Sequence, residues 1–323
     1  MGLVVALAGC SFTLPIASSG GADSATADVA LPDVPPGDIC YGNGAVTVCL
    51  TSAPTGEVSL PSAIDTGSAL RQAYDSPDTP NMCLIAGDRI IGSGAIRVTG
   101  TRPLIVLGGN TITLDVTSAV DVGSHIATGL GATDGTGGNA AAAAPTDHLR
   151  GGCSGNAGAG GFAGAGGAGG GAIYLIAKAA IDVEGTINAS GAGGIAATTG
   201  SSGGGGGGSG GMVGFDAPTL TLGNSAMVFA NGGGGGQGSG ATTAGGNGGE
   251  SSGPTLAGQG GVGLTDYGGI GGDGSAGTTT YGFAGTAGNT AVGGGGGGGG
   301  SAGVIVVIGP SVTTSNVAPP PQS

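Results

Sequence analysis

The stretch Gly171–Ser190, GAIYLIAKAAIDVEGTINAS, decides the fold. It holds two β-prone runs, Ile173–Ile176 and Ile181–Val183, and a third at Thr186–Ala189. Ile181 and Val183 alternate with Asp182 and Glu184, the period of two of a strand with one buried and one wet face. Three short strands broken at Ala-Lys-Ala and Glu-Gly corners, in about 20 residues, have the size of one coil of a parallel β-solenoid.

The unit recurs loosely along the chain. Cys83–Gly100, Leu104–Val122, Met212–Asn231 and Val304–Thr314 each open with an apolar run, turn at Gly, Asp, Pro or Lys, and resume with a second alternating strand. Val46–Leu60 is a weaker copy. The expected fold is therefore all-β: a short, irregular, β-helix-like parallel solenoid over residues 39–315. Long glycine-rich insertions fall at 123–170, 191–210 and 232–302. A β-sandwich with disordered glycine-rich loops is the alternative reading of the same strands.

Glycine supplies 83 of the 323 residues, which removes much of the chain from core duty. From Gly152 glycine stands at every third position, through Gly155, Gly158, Gly161, Gly164 and Gly167 to Gly170. The same spacing returns at Gly268–Gly277, Gly282–Gly288 and Gly294–Gly303. A three-residue period is that of an extended left-handed helix with one face bare of side chains. Two readings stay open: such helices pack side by side as polyglycine II, or the insertions are loose Gly/Ser loops.

Six Lys and Arg against 19 acids give a net charge of −13, which argues against nucleic-acid or anionic-lipid binding through a basic patch. The N-terminal residues 1–10 end in Leu7-Ala8-Gly9-Cys10, which resembles a truncated bacterial lipoprotein signal with its lipobox. Cys10 is then the lipidation residue, and Ser11 after it implies sorting to the outer membrane. Residues 11–38, rich in Ser, Ala, Gly, Pro and Asp, read as a flexible tether. Residues 316–323 read as a disordered tail.

Cys40, Cys49, Cys83 and Cys153 form an even set of disulfide candidates in an exported chain. Cys40 and Cys49 flank the turn signal Tyr-Gly-Asn-Gly, which points to a local bridge and leaves Cys83–Cys153 as the long one.

No catalytic set is legible. Asp182 and Glu184 share a face as a solvated pair; His125 and His148 lack a serine in a nucleophile motif. Arg89, Arg97, Arg102 and Lys178 lack the clustered Asp partners of a polysaccharide lyase. Gly268–Asp273, GGIGGD, matches the start of a calcium-binding nonapeptide once, which makes Asp273 a lone calcium candidate. No other metal and no cofactor is expected.

The lipobox, the tether, CYGNG at 40–44, LRGGCSG at 149–155, GGGAIYLIA at 169–177 and GGGGGGSGGMVGFDAPTL at 203–220 stand together. With them the chain resembles the glycine-rich, PE-PGRS-like (by composition) outer-membrane lipoproteins of myxobacteria and their relatives. That family has no established activity. The resemblance implies a lipid-anchored protein on the periplasmic or surface side of the outer membrane, or an extracellular one if released. The expected role is non-enzymatic: a structural or adhesive surface protein that meets polysaccharide or cell-surface components. A polysaccharide-binding or polysaccharide-degrading β-helix and an ice-binding protein are the alternatives.

Overall fold

The structure, a computed structural model, describes residues 39–44, 46–67, 82–126, 149–263, 268–289, 293–309 and 316–322, with the backbone of 133–134. Cys10, the tether at 11–38, the run Ala140–Ala144 and His148 lie outside these residues.

In chain order the strands are Ile39–Tyr41 (β1), Val48–Leu50 (β2), Glu57–Ser59 (β3), Ala63–Asp65 (β4), Cys83–Gly92 (β5) and Ala95–Thr99 (β6). There follow Leu104–Leu114 (β7), Ala119–Asp121 (β8), His125–Ile126 (β9), Thr133–Asp134 (β10), Ala172–Ala177 (β11) and Ala180–Val183 (β12). The last are Thr186–Asn188 (β13), Met212–Asp216 (β14), Thr219–Leu222 (β15), Met227–Phe229 (β16), Val304–Ile308 (β17) and Val317–Ala318 (β18). Among the described residues there is no helix. Both large sheets are parallel and neither closes into a barrel.

One sheet collects the opening strand of each successive unit, in the order β3, β5, β7, β11 with β12, β14 with β15, then β17. The other collects the short strand after the corner, in the order β4, β6, β8, β13, β16, β18. Side chains stack in register from rung to rung: Leu104, Ile173, Val213 and Ile305 in the first sheet, Val120, Ile187 and Val228 in the second. All of these are buried between the two sheets.

The opening strands change character halfway, and burial explains why. Their first halves are continuously apolar because both faces are covered. Val106, Leu175 and Phe215 point into the main core, while Ile105, Tyr174 and Ile176 point outward into a second one. The second halves alternate. Ile112 and Ile181 are buried, whereas Thr113 and Asp182, paired side by side, are not.

The cover over the outer face is the antiparallel hairpin β1–β2, whose Tyr41, Val48 and Leu50 lie on Leu84, Ile105 and Ile176. Cys40 and Cys49 are opposed in register and bridged. The turn is tied down by Asp216, whose Oδ2 accepts the backbone N–H of Asn43 and of Gly44. Val46–Leu60 is thus not one coil: its first half belongs to the hairpin and only β3 joins the stack.

The insertions all leave from one corner, after the short strand, and return to the next opening strand. They extend the sheets instead of looping freely. The pairing of β13 with β16 continues outward as Ala189 N–H to Phe229 O, Gly191 to Asn231, Gly194 to Gly234 and Ala197 to Gln237. Each excursion then doubles back. Gly152, Gly155 and Gly158 donate to Gly170, Gly167 and Gly164, with a turn at 159–162. Along 203–211, Gly203 and Gly206 donate to Ala159 and Asn156, Gly204 and Gly207 to Gly295 and Gly298, and Gly205 and Gly208 to Ile195 and Ala192. Three successive residues face three different neighbours and the fourth returns to the first, as three residues per turn require.

Two sequence expectations are corrected. Cys83 carries a thiol and does not bridge Cys153. It opens β5 on the inward side and packs against the main core, where it acts as a small apolar residue. Residues 316–322 are not a disordered tail. β18 pairs with β16, Ala318 is fully buried, and Gln322 exchanges backbone hydrogen bonds with Ile305 and Val307, because the last rung would otherwise leave an open edge.

The glycine frame makes a direct stability prediction. A Cβ at Gly164 or Gly167 would meet a carbonyl oxygen at 1.9 or 2.2 Å, whereas Gly161 sits at the turn with open space around it. Replacing Gly164 and Gly167 by Val is expected to cost about 1–3 kcal/mol or more at each site. Replacing the exposed Ala159 and Ala165 by Val is expected to stay within about 0.5 kcal/mol. Equal melting midpoints for the two double variants would refute close packing.

Candidate functional site

Glycine purity tracks how enclosed a segment is. In 164–170, Gly164 and Gly167 face the carbonyls of Ile195 and Ala192, and Gly166 and Gly169 face those of Gly155 and Gly152. The remaining frame holds Ala165, which is exposed, and Ala168. The central run 203–211 admits no Cβ in two frames: Gly204 and Gly207 abut Gly236 and Gly233, and Gly205 and Gly208 abut Ala165 and Ala168. Its single side chain beyond Ser202, that of Ser209, falls in the third frame, where its hydroxyl accepts the Cys153 N–H at 2.7 Å. Backbone–backbone bonding to five neighbouring segments thus makes a bonded glycine bundle beside the two sheets.

Large apolar side chains stand exposed on that bundle. They are Phe162, Leu256, Val262, Ile270, Tyr281 and Phe283, and only Ile39, Val116 and Met227 among the described residues are exposed elsewhere. Phe162 occupies the turn of the first excursion, with its ring over Gly200 in the turn of the second. Tyr281 and Phe283 meet edge to face, ring centroids 5.8 Å apart. These groups are fixed in place because the segments beneath them are bonded: Phe283 N–H donates to Asp273 O and Thr286 N–H to Ile270 O.

A charged cluster locks the root of the bundle to the second sheet. His125 donates from Nε2 to Asp121 Oδ2 at 2.7 Å and from Nδ1 to Glu250 Oε2. Glu250 also accepts the Ile126 N–H. Asp121 is further held by Arg97 at 2.9 Å and by the Asn188 side-chain amide at 3.0 Å. Hydrogen bonds to Asp121 and then Glu250 raise the His125 pKa to about 9 against its burial. Burial pushes the Asp121 carboxyl up, but the hydrogen bond and charge of His125, with Arg97 and the Gly123 N–H, bring it below its ordinary value. Both ring nitrogens face carboxylates, so the ring ties Asp121 to Glu250 and the cluster acts as a clamp.

The other sequence candidates stay apart. Asp273 Oδ1 accepts the Gly260 N–H at 2.7 Å inside the bundle, and among the described residues no three His, Cys, Asp or Glu side chains gather as a metal site. Asp182 lies on the outer face of β12 with Thr113 and Thr221 beside it. Arg89 pairs with Glu57 across exposed strands at 3.5 Å, and Arg102 donates to Thr66 O. Lys178 lines the rim of a cavity of about 220 Å³ under the hairpin, with Tyr41, Ile176, Asp216 and Pro218. Sequence reasoning missed the His125–Glu250 contact, because 125 positions separate the partners and neither sits in a motif.

No protein-family description matches this chain, and comparison with curated proteins and with solved structures finds no match.

The clamp has a pH signature. The raised pKa means that the stabilisation from His125 is fully present below 6.5, the ordinary histidine value, and is lost as pH rises through about 9. The melting difference between the wild type and His125→Gln is expected to be largest near neutral pH and to shrink toward about pH 10. A difference that stays constant over this range would show that His125 is not held protonated.

Proposed function

We infer that the chain is a non-enzymatic, adhesive surface protein: a short, irregular parallel β-solenoid that carries a polyglycine II bundle as its contact face. Support for the architecture comes from the rung-by-rung register and the three-residue bonding repeat. The observation that carries the function is the concentration of exposed apolar side chains on a bonded glycine bundle. Apolar groups on a mobile loop lose backbone as well as side-chain freedom on contact, whereas groups on a fixed backbone lose only side-chain freedom. The lipobox ending in Cys10 supports an outer-membrane lipid anchor, with the resemblance to glycine-rich lipoproteins pointing the same way.

Cells displaying the full chain are expected to be retained on an apolar or polysaccharide-coated surface. Replacing Phe162, Tyr281 and Phe283 together by Ser is expected to lower retention several-fold without moving the melting midpoint. Undiminished retention would remove the apolar face from the account, and release of sugar from the coating by purified protein would replace adhesion with hydrolysis or lysis.

The anchor is tested separately. A precursor of the chain carried through a lipoprotein export pathway is expected to incorporate labelled palmitate, and Cys10→Ala is expected to lose it. Equal labelling of the two forms would end the lipoprotein reading.

A further inference from the structure

The central glycine segment 203–211 is surrounded on every side but one. Around it stand 152–158, 164–170, 191–197, 232–239 and 294–303, and each of these bonds to 203–211 directly. Neighbours in this ring also bond to each other: 152–158 to 164–170, 164–170 to 191–197, 191–197 to 232–239, and 232–239 to 294–303. Only the first and last, 152–158 and 294–303, share no backbone hydrogen bond. Equal rods in close packing form a complete ring, so the opening between these two has the width of one more glycine helix.

That opening is a groove of about 350 Å³ lined by Gly155, Asn156, Ala157, Gly204, Gly206, Gly207 and Gly297–Gly299. A Cβ built on Gly206 would enter it, with no atom nearer than 3.5 Å, flanked by Asn156 and Gly298. The other frames of the same run are closed by carbonyls at about 2 Å, as at Gly204 and Gly205. Along the groove wall the N–H groups of Asn156, Ala157 and Gly298 and the carbonyls of Gly204 and Gly207 make no backbone hydrogen bond among the described residues. The wall carries no charged or aromatic side chain, so it has nothing to hold an ion or stack a sugar ring. It presents backbone donors and acceptors recurring every three residues, about 9 Å apart.

We propose that this groove is a vacant lattice position that binds an extended glycine-rich peptide segment from a separate polypeptide. The incoming strand completes the ring as a further three-residue helix, with backbone paired to backbone as in strand addition to a sheet edge. Its chemistry is defined by sterics: side chains are excluded wherever it faces 152–158, 203–211 or 294–303, so at most every third residue is other than glycine. The site is independent of the exposed apolar residues and of the anchor.

The test uses the full chain and a labelled, soluble peptide of Gly-Gly-Asn repeats, with Ala-Ala-Asn repeats of equal length as control. Saturable binding of the glycine peptide alone is expected in fluorescence anisotropy. Gly206→Leu fills the groove and is expected to weaken binding about tenfold or more, while Ala165→Leu, on an exposed frame outside the groove, leaves it unchanged. The melting midpoint of Gly206→Leu is expected to match the wild type, since its Cβ meets only ordinary van der Waals contacts at 3.5 Å and its side chain extends into the groove. Should that variant misfold, hydrogen exchange on the wild type decides: the peptide is expected to protect the amides of Asn156, Ala157 and Gly298. Equal binding of both peptides, unchanged binding to a folded Gly206→Leu, or absence of amide protection would each overturn the proposal. Self-association abolished by Gly206→Leu, without peptide binding, would also overturn it in favour of a second copy as occupant.

Discussion

Direct approach of one backbone to another, at a distance where no Cβ fits, is the constraint on which the protein depends. Glycine contributes almost no apolar burial, so the hydrophobic effect that holds most interiors together is nearly absent from the bundle. Its cohesion comes from N–H···O=C bonds at 2.7–3.1 Å between segments, supplemented by Cα–H contacts to carbonyl oxygens. Against this stands the large conformational entropy that glycine surrenders on ordering. The sheets resolve the balance by fixing both ends of every excursion. Ala189 and Ala230 open the second and third excursions, and Gly211 and Gly303, which end them, donate back to their carbonyls.

The sheets can serve as that foundation because the opening strands are buried on both faces. Tyr174 and Phe215 lie on neighbouring rungs but fill different cores, one under the hairpin and one between the sheets. A sheet covered on one face only would carry alternating strands throughout and would leave Ile105 and Ile176 in water. The bridge of Cys40 to Cys49 and the Asp216 carboxylate keep the cover in place.

Much of this was legible in the sequence. The alternation in Ile181–Val183 gave a strand with one wet face, and the run Ile173–Ile176 gave a strand position; that this second run is covered on both faces emerged only with the hairpin that lies over it. The three-residue glycine period named the bonding frame from Gly152 to Gly170. It misplaced Gly161, because a frame continues in sequence through a turn where no neighbour remains. Val46–Leu60 misled in another way: a hairpin with Gly at its turn carries the same local signals as a coil corner, and only pairing partners separate the two. Cys83 was assigned by parity, a rule blind to the direction in which its strand points a side chain. The clamp of His125 on Glu250 left no local trace at all.

The connectivity of the bundle also dictates an order of assembly. Gly204 bonds to Gly295 and Gly207 to Gly298, so the middle of the lattice is finished by residues that emerge from the ribosome long after it. Until 294–303 arrives, the central segment lacks the partner that donates to and accepts from its neighbours on that side, and the last rung, β17 with β18, is also missing. A chain of this topology completes its lattice only near its end, because the bonds from 203–211 to 294–303 close a long loop and carry its entropy cost. The final glycine run, GGGGGGGG at 293–300, is in this sense a keystone: least varied in composition, last to be made, and the piece whose arrival turns a set of hairpins into a solid.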